Sequence, residues 1–247
     1  MVSTTGSKSN RKKLLSVNHS DRVDLAVVQD GAVSMKGLFV VTPIHKELVH
    51  VIVRKGRGMN SIPDIEGKQV AIGLEGSGMQ VSAGYVLDHY QLNVERRSVS
   101  FRNLLEDEAL DAAIVTSGVF SFDLREVLLD ERFVLLPVED ASAFEVKHFF
   151  FQSATIPVGL YSEKPYSTPS KELKTIATTA SLVVGPNGNE RLIEAILGTI
   201  YESELRQEFP LLLDKEEAAQ LSTLRLHPIS KKYFSPQDEI RKITTLL

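Results

Sequence analysis

Between Val70 and Gln80 the sequence reads VAIGLEGSGMQ. A run of small apolar residues breaks there into three glycines and a serine, and a stretch with apolar residues at helical spacing follows. Gly73 and Gly78 are spaced as in the phosphate loop G-x-x-x-x-G-K-[ST], whose lysine reaches the terminal phosphates and whose hydroxyl holds magnesium. Met79 and Gln80 fill those two positions, so a nucleoside triphosphate is not expected. The dinucleotide fingerprint fails on glycine spacing. A nucleophile elbow fails because Ser77 is flanked directly by Gly76 and Gly78. What survives is a strand that enters a helix through glycines, presenting backbone N–H groups at the positive end of the helix dipole, with Ser77 as a further donor. That is an anion site. The same residues are equally accounted for if Ser77 only caps the helix and the glycines only make the turn.

Other chemistry finds less support. The six histidines, His19, His45, His50, His89, His148 and His227, show no H-x-x-x-H or HExxH spacing, so no metal is expected. His45 and His50 are five apart, which shares a face of neither a helix nor a strand. Glu106, Asp107, Glu108 and Asp111 in LEDEALD resemble an acid-base cluster but read as the solvated face of an amphipathic helix. Arg11 to Lys13 read as surface, because nothing aromatic interleaves them.

With 247 residues, 43% hydrophobic and 24% charged, the chain has the composition of a globular protein that can bury one large domain or two ordinary lobes. A net charge of −4 excludes a general basic field for nucleic acid or anionic membrane. The absence of cysteine excludes disulfides, thiolate metal sites and cysteine nucleophiles. No apolar run approaches the roughly 20 residues that span a bilayer. The opening MVSTTGSKSNRKKLL has no apolar core, so it is not a signal peptide, and an export address would lie outside this chain. No cofactor is expected.

Strand and helix patterns alternate, which predicts an α/β architecture. RKKLLSVNHS is a short amphipathic helix and VDLAVVQD a buried strand ending on polar residues. LFVVTPIHKELVHVIVRKG reads as one or two strands interrupted by Pro43. A turn and strand follow in SIPDIEGKQVAIG, a helix in SGMQVSAGYVLDHYQL, a helix running into a strand in FRNLLEDEALDAAIV, and a strand in RFVLLPV. Strands and Pro-rich loops then lead to a helical C-terminal region, from NERLIEAILGTIYESELRQEF onward.

Several of these stretches, in order, resemble the TAXI family of solute-binding proteins from TRAP transporters. SIPDIEGKQVAIGLEGSGMQ is similar to that family's DLKGK-V-x-x-G-x-x-G-S-G-T segment, and TTGSKSNRKKLLSVNHSDRVDLAVVQDGA to its T-x-G-S-x-x-N helix and following strand. LDAAIVTSG resembles its D-A-x-x strand and small-residue loop, and TIPVGLYSE its I-P-A-G-x-Y turn. RLHPISKKYF resembles its P-x-H-P-G-A-x-x-Y close, with Ser230 in place of a small-residue pair.

The resemblance implies a type II periplasmic-binding-protein fold, two α/β lobes with a cleft between them. Lobe 1 would be residues 1–61 plus 176–247, and lobe 2 the inserted residues 62–175. It implies a monomer that is periplasmic or otherwise extracytoplasmic. Such a receptor binds an amino acid such as glutamate, or a dicarboxylate, and delivers it unchanged to a TRAP membrane permease. Carried over by position, Gly76, Ser77 and Gly78 would hold a carboxylate. Gln29 and Asp30 would supply polar contacts from lobe 1, and Thr116, Ser117 and Gly118 from lobe 2. Thr42, Gly159 and Tyr161 are placed by loop position alone. Members of that family begin with a signal peptide, a strand, a G-G-x-x-G-x-Y loop and a helix before the segment matched here at Thr5 to Ser7. This chain would therefore lack the first strand and helix of lobe 1 and leave a sheet edge exposed. An enzyme or a ligand-sensing domain acting on a small anionic metabolite is the alternative on the same fold. A DNA-binding regulator would need a helix-turn-helix for which the chain has no room.

Overall fold

The computed structural model describes residues 6–18, 22–163, 167–221 and 225–235. Thr5 and His19 lie outside the described residues. The chain divides into two compact units, Met1–His45 with Thr179–Leu247, and Lys46–Thr178. Two strands run from one unit into the other, β2 (Phe39–Arg54) and β8 (Leu173–Val184).

In the Lys46–Thr178 unit, β3 (Gln69–Ala71) lies parallel to β4 (Glu95–Arg97) on one side and to β5 (Ala112–Ser117) on the other. β5 runs antiparallel to β2, with Leu48 opposite Ser117 and Val53 opposite Ala112. β6 (Phe133–Leu136) pairs antiparallel with Val51–Arg54 of β2, and β7 (Gln152–Ile156) with the first residues of β8. The helix α2 (Gly78–His89) connects β3 to its parallel neighbour β4, a crossover that antiparallel hairpins do not need. Strand alternation sorts the core into two layers. Val49, Val51 and Val53 of β2 and Ala112 and Ile114 of β5 pack with Val86 and Leu87 of α2 and with Phe144 of α4 (Ala141–Lys147). Leu48 and Ile52, with Ala113 and Val115, pack against Leu124, Val127 and Leu128 of α3 (Phe122–Leu129).

In the other unit, β1 (Leu25–Gln29) pairs antiparallel with the last part of β8, Leu25 opposite Val184 and Gln29 opposite Ala180. Val28, Val40 and Val183 form one cluster with Leu14 of α1 (Ser7–Leu14). Val41 and Val184 form another with Ile193 and Leu197 of α5 (Glu190–Glu202). Three short helices follow, α6 (Leu205–Glu208), α7 (Lys215–Leu221) and α8 (Pro228–Phe234). β1 ends the strand order, and side chains of α1 meet its outward backbone: Asn10 Nδ2 donates to the Val27 carbonyl (2.7 Å) and the Gln29 N–H donates to Ser7 Oγ (3.0 Å). The edge expected to stand open is thus occupied at those two residues, Ser7 and Asn10 being one turn apart and Val27 and Gln29 two residues apart on the same side of the strand.

Four sequence expectations change. Pro43 does not interrupt β2, which stays extended through it: proline's fixed φ suits a strand, and the neighbouring carbonyls are used, Ile44 by the Leu213 N–H (2.8 Å) and Pro43 by the Thr42 hydroxyl (2.9 Å). The stretch before β5 is a short 3-10 turn, Phe101–Leu105, not an amphipathic helix. Asp111 is accordingly not on a solvated face: it pairs with Arg57 (2.5 Å) and accepts from the Gln69 N–H (2.9 Å). Arg11 is more than surface charge, since its Nε donates to the Ser34 carbonyl (2.7 Å) and ties α1 to the following loop.

Candidate functional site

The parallel strands β3 and β5 end on the same edge of the sheet, the carboxyl edge on which open α/β sheets carry their ligands. After β3 the chain turns through Gly73 (φ 88°), where an added Cβ would sit 3.0 Å from the Met79 side chain. Glycine is therefore required on two counts, the left-handed backbone and the close approach. Ser77 is the N-cap of α2, its Oγ accepting from the Gln80 N–H (3.1 Å). The proton of that hydroxyl meets no acceptor among the described residues, so it is available to an anion.

The backbone donors are less open than the sequence suggests. The Gly76 N–H donates to Gln80 Oε1 (3.0 Å) and the Ser77 N–H to the Leu74 carbonyl (3.1 Å). Gln80 is anchored in turn through its Nε2, which donates to Ser98 Oγ (3.1 Å). A carboxylate approaching Gly76 must displace an amide oxygen that already imitates it.

α2 and β5 are joined by Ser82 and Thr116, both buried, whose hydroxyl oxygens are 2.5 Å apart. Ser82 Oγ also lies 3.2 Å from the carbonyls of Gly78 and Met79. Either hydroxyl can donate across the Ser82–Thr116 contact, so the pair ties α2 to β5 through one shared proton. Ser117 and Gly118 follow at the end of the strand, the Ser117 hydroxyl donating to the Gly118 carbonyl (3.3 Å). The structure thus brings Gly76, Ser77, Gly78 and Thr116 together, through Ser82 and Gln80, neither of which the sequence reading placed in the site. Ser82 stands one turn after Gly78 on the face toward the small residues of β5, a spacing that could have pointed to it.

Gly159 and Tyr161 belong elsewhere in that unit. Gly159 (φ 75°) makes a turn whose N–H donates to the Pro169 carbonyl (3.0 Å). Tyr161 is turned into the core, 2% exposed, with its hydroxyl 2.5 Å from Nε2 of the wholly buried His50. Burial holds the His50 pKa down at about 4 and raises that of Tyr161, so both are neutral and share one hydrogen bond.

In the other unit, Gln29 and Asp30 end β1 as expected, both buried. The Asp30 N–H donates to the carbonyl of Thr179 (2.8 Å), the residue at which β8 enters this unit. Burial pushes the Asp30 carboxyl up to about 7, with the Ser181 hydroxyl acting in the opposite sense. Thr42 is wholly buried and bonded to Tyr201 of α5 (2.5 Å between the oxygens), which places it in the core of the unit.

A cavity of about 610 Å³ elsewhere in the Lys46–Thr178 unit is lined by Lys55, Leu128, Phe133, Leu135, Lys171 and Leu173 among others, and contains none of these candidates. Among the described residues no group of His, Asp or Glu could hold a metal ion.

Fold and polar strand ends together define an α/β protein of two units with small-residue and hydroxyl-bearing loops at its strand ends. The chain belongs to the NMT1-like family, which it matches over residues 8–237. Among solved structures it is similar to the substrate-binding protein of an amino acid ABC transporter, at 13% identity and TM-score 0.48 over 81% of this chain and 70% of that one. It is also similar to the substrate-binding protein AbpA of Streptococcus pneumoniae bound to L-arginine, at 16% identity and TM-score 0.45 over 77% and 65%. The regulatory domain of Synechocystis CcmR in complex with 2-PG is a third, at 11% identity and TM-score 0.46 over 78% and 77%.

Proposed function

We propose that this chain is a solute-binding protein that takes up a small organic acid and releases it unchanged. The observation that carries the reading is the convergence of the Ser77 cap, the Gly76 turn and the Ser82–Thr116 pair on the carboxyl edge of β3 and β5. The ordered resemblance to TAXI proteins supports the finer assignment: an extracytoplasmic, monomeric receptor of a TRAP-type transporter, with a membrane permease as partner and an amino acid or dicarboxylate as cargo. Among the described residues no helix is long and apolar enough to cross a membrane.

A ligand that binds only the folded protein stabilises it by mass action, about 2.7 kcal/mol at a hundred times its dissociation constant. Thermal unfolding with a panel of amino and dicarboxylic acids should therefore give a dose-dependent rise in Tm, without turnover. No rise across the panel, together with consumption of a phosphorylated metabolite, would favour the enzyme reading instead. Ser77→Ala is expected to cost about 1 kcal/mol of stability as a lost cap. Its affinity for the carboxylate should fall by about 1.5–3 kcal/mol, the worth of a hydrogen bond to a charged group. Isothermal titration showing unchanged affinity beside lowered Tm would leave Ser77 a cap and nothing more.

A further inference from the structure

The cavity of about 610 Å³ in the Lys46–Thr178 unit lies toward the other end of the sheet from the Ser77 turn. Along β2, Leu48 stands opposite Ser117 at the carboxyl edge of β5, whereas Arg54 stands opposite Phe133 in the cavity wall. From Leu48 to Arg54 is about 20 Å of strand. The volume is in the range of roughly 300–1,000 Å³ that small-molecule sites occupy.

Its walls are apolar and fixed. Leu128 lies near the end of α3, Phe133 and Leu135 belong to β6, Leu173 opens β8, and all four are buried. The Phe133 ring is held by two guanidinium groups, Arg54 at 5.0 Å and Arg132 at 5.4 Å from its centroid. Arg132 is itself clamped by Asp130, to which it donates through Nε (3.0 Å) and Nη2 (2.7 Å). The wall is thus formed before a ligand arrives, which lowers the ordering cost of binding. Val134, also in the lining, is 40% exposed, apolar surface that the fold leaves uncovered.

The charges around it do not cancel. Asp130 is paired with Arg132, and Glu163 with Arg125 (2.7 Å). Lys55 and Lys171, both exposed in the lining, have no ion-pair partner among the described residues, and Glu131 offsets only one of them. One positive charge is left over above apolar walls. A lysine ammonium follows an anion on a flexible stem, and its methylenes cover apolar surface beneath.

We propose that this cavity is a second binding site, for an amphipathic monocarboxylate. An unbranched acyl chain lies along Leu128, Phe133, Leu135 and Leu173, and its carboxylate is taken at the mouth by Lys55 and Lys171. The site goes beyond the solute-binding reading and is independent of it, because no residue of the carboxyl edge lines the cavity.

The test titrates butanoate, hexanoate and octanoate, with octylammonium as the charge-reversed match, into the full chain by calorimetry. Each methylene buried along the walls should tighten binding about three- to fourfold. Octylammonium should bind about 10-fold or more weakly than octanoate, since two ion pairs at the mouth become two repulsions. In the double variant Lys55→Glu with Lys171→Glu, at two exposed positions, that order should invert. Amide NMR of the wild-type protein locates the ligand: octanoate should shift the signals of residues 128–135 and 167–173. Absence of saturable octanoate binding, equal affinity for the two eight-carbon probes, or shifts at residues 76–80 without any at 128–135 would each overturn this site. The solute-binding reading, tested at Ser77, would stand in all three cases.

Discussion

Arg54→Ala is expected to cost about 3–5 kcal/mol of folding free energy, among the largest single-residue effects available to this chain. Arg54 ends β2 at 8% exposure, and its guanidinium serves three carbonyls of one loop: Leu104 (2.7 Å) and Asp107 (3.2 Å) through Nη2, and Leu110 (3.2 Å) through Nε. The Phe133 ring lies 5.0 Å away on its face. Burial, and then the charges of Arg57 and Arg132, lower its pKa, yet an arginine remains charged at any pH the fold survives. Truncation would leave three buried or half-buried acceptors without donors and a gap beside Phe133, and an unsatisfied group costs about 1–3 kcal/mol. Arg54→Lys keeps the charge but not the fork, so it should recover only part of the loss. Urea unfolding of the three proteins measures the difference. A loss below about 1 kcal/mol for the alanine variant would mean that water takes over the carbonyls. Since the loop leads directly into β5, whose end carries Thr116 and Ser117, the variant should also weaken ligand binding out of proportion to its distance from the site.

That knot was invisible in the sequence, and the reason is general. Helix α2, with its serine cap and apolar spacing, and the alternating β2 and β5 are local patterns, and local patterns can be read from one chain. In sequence Arg54 carries no motif, and Asp111 is one acid in an acidic run. Their roles come from loop carbonyls and from Arg57, Leu104 and Gln69, up to 56 residues away in the chain. Helices α3 and α4, 8 and 7 residues long, are too short to show a clear period in the sequence.

The candidate site divides in the same way. Ser77 and the Gly73 turn were legible because capping and positive φ leave a residue signature. Closure of Gly76 by Gln80 was not, since glutamine in a first helical turn has many other uses. Tyr161 shows how loop position alone misleads. A tyrosine after a glycine turn suggested a ligand contact, whereas its hydroxyl satisfies His50 in the core, a pairing over 111 residues of sequence. Ser7 and Asn10 are spaced to reach alternate residues of β1, a contact that only the folded chain reveals.

Asp30→Asn is expected to leave stability unchanged near pH 4 and to raise it by up to about 4 kcal/mol at pH 8, because it removes one of two buried groups whose titrations oppose each other. Burial lifts the Asp30 carboxyl from 3.8 to about 7, so the folded protein holds a proton that the unfolded chain releases. Its contribution is fully present below pH 3.8 and is lost as pH rises to about 7. His50 behaves in the opposite sense. Its pKa falls from 6.5 to about 4 on folding, so the unfolded chain binds the extra proton, and stability is lost as pH drops from 6.5 toward 4, by about 3 kcal/mol in all. Between pH 4 and 6.5 the two slopes have similar size and opposite sign, and the wild-type protein should show little net dependence from them. Asn at position 30 removes the falling slope, so the variant should gain stability with pH up to 6.5 and then level off. His50→Gln keeps a partner for the Tyr161 hydroxyl and removes the rising slope, so its stability should decline with pH across the same window. Other shifted groups, such as His148 and His227, titrate alike in all three proteins and cancel in the differences. Chemical denaturation at half-unit steps from pH 4 to 8 gives the three curves. If the Asp30→Asn curve ran parallel to the wild type throughout, Asp30 would be ionised at its ordinary pKa. The end of β1 would then carry a full negative charge at neutral pH.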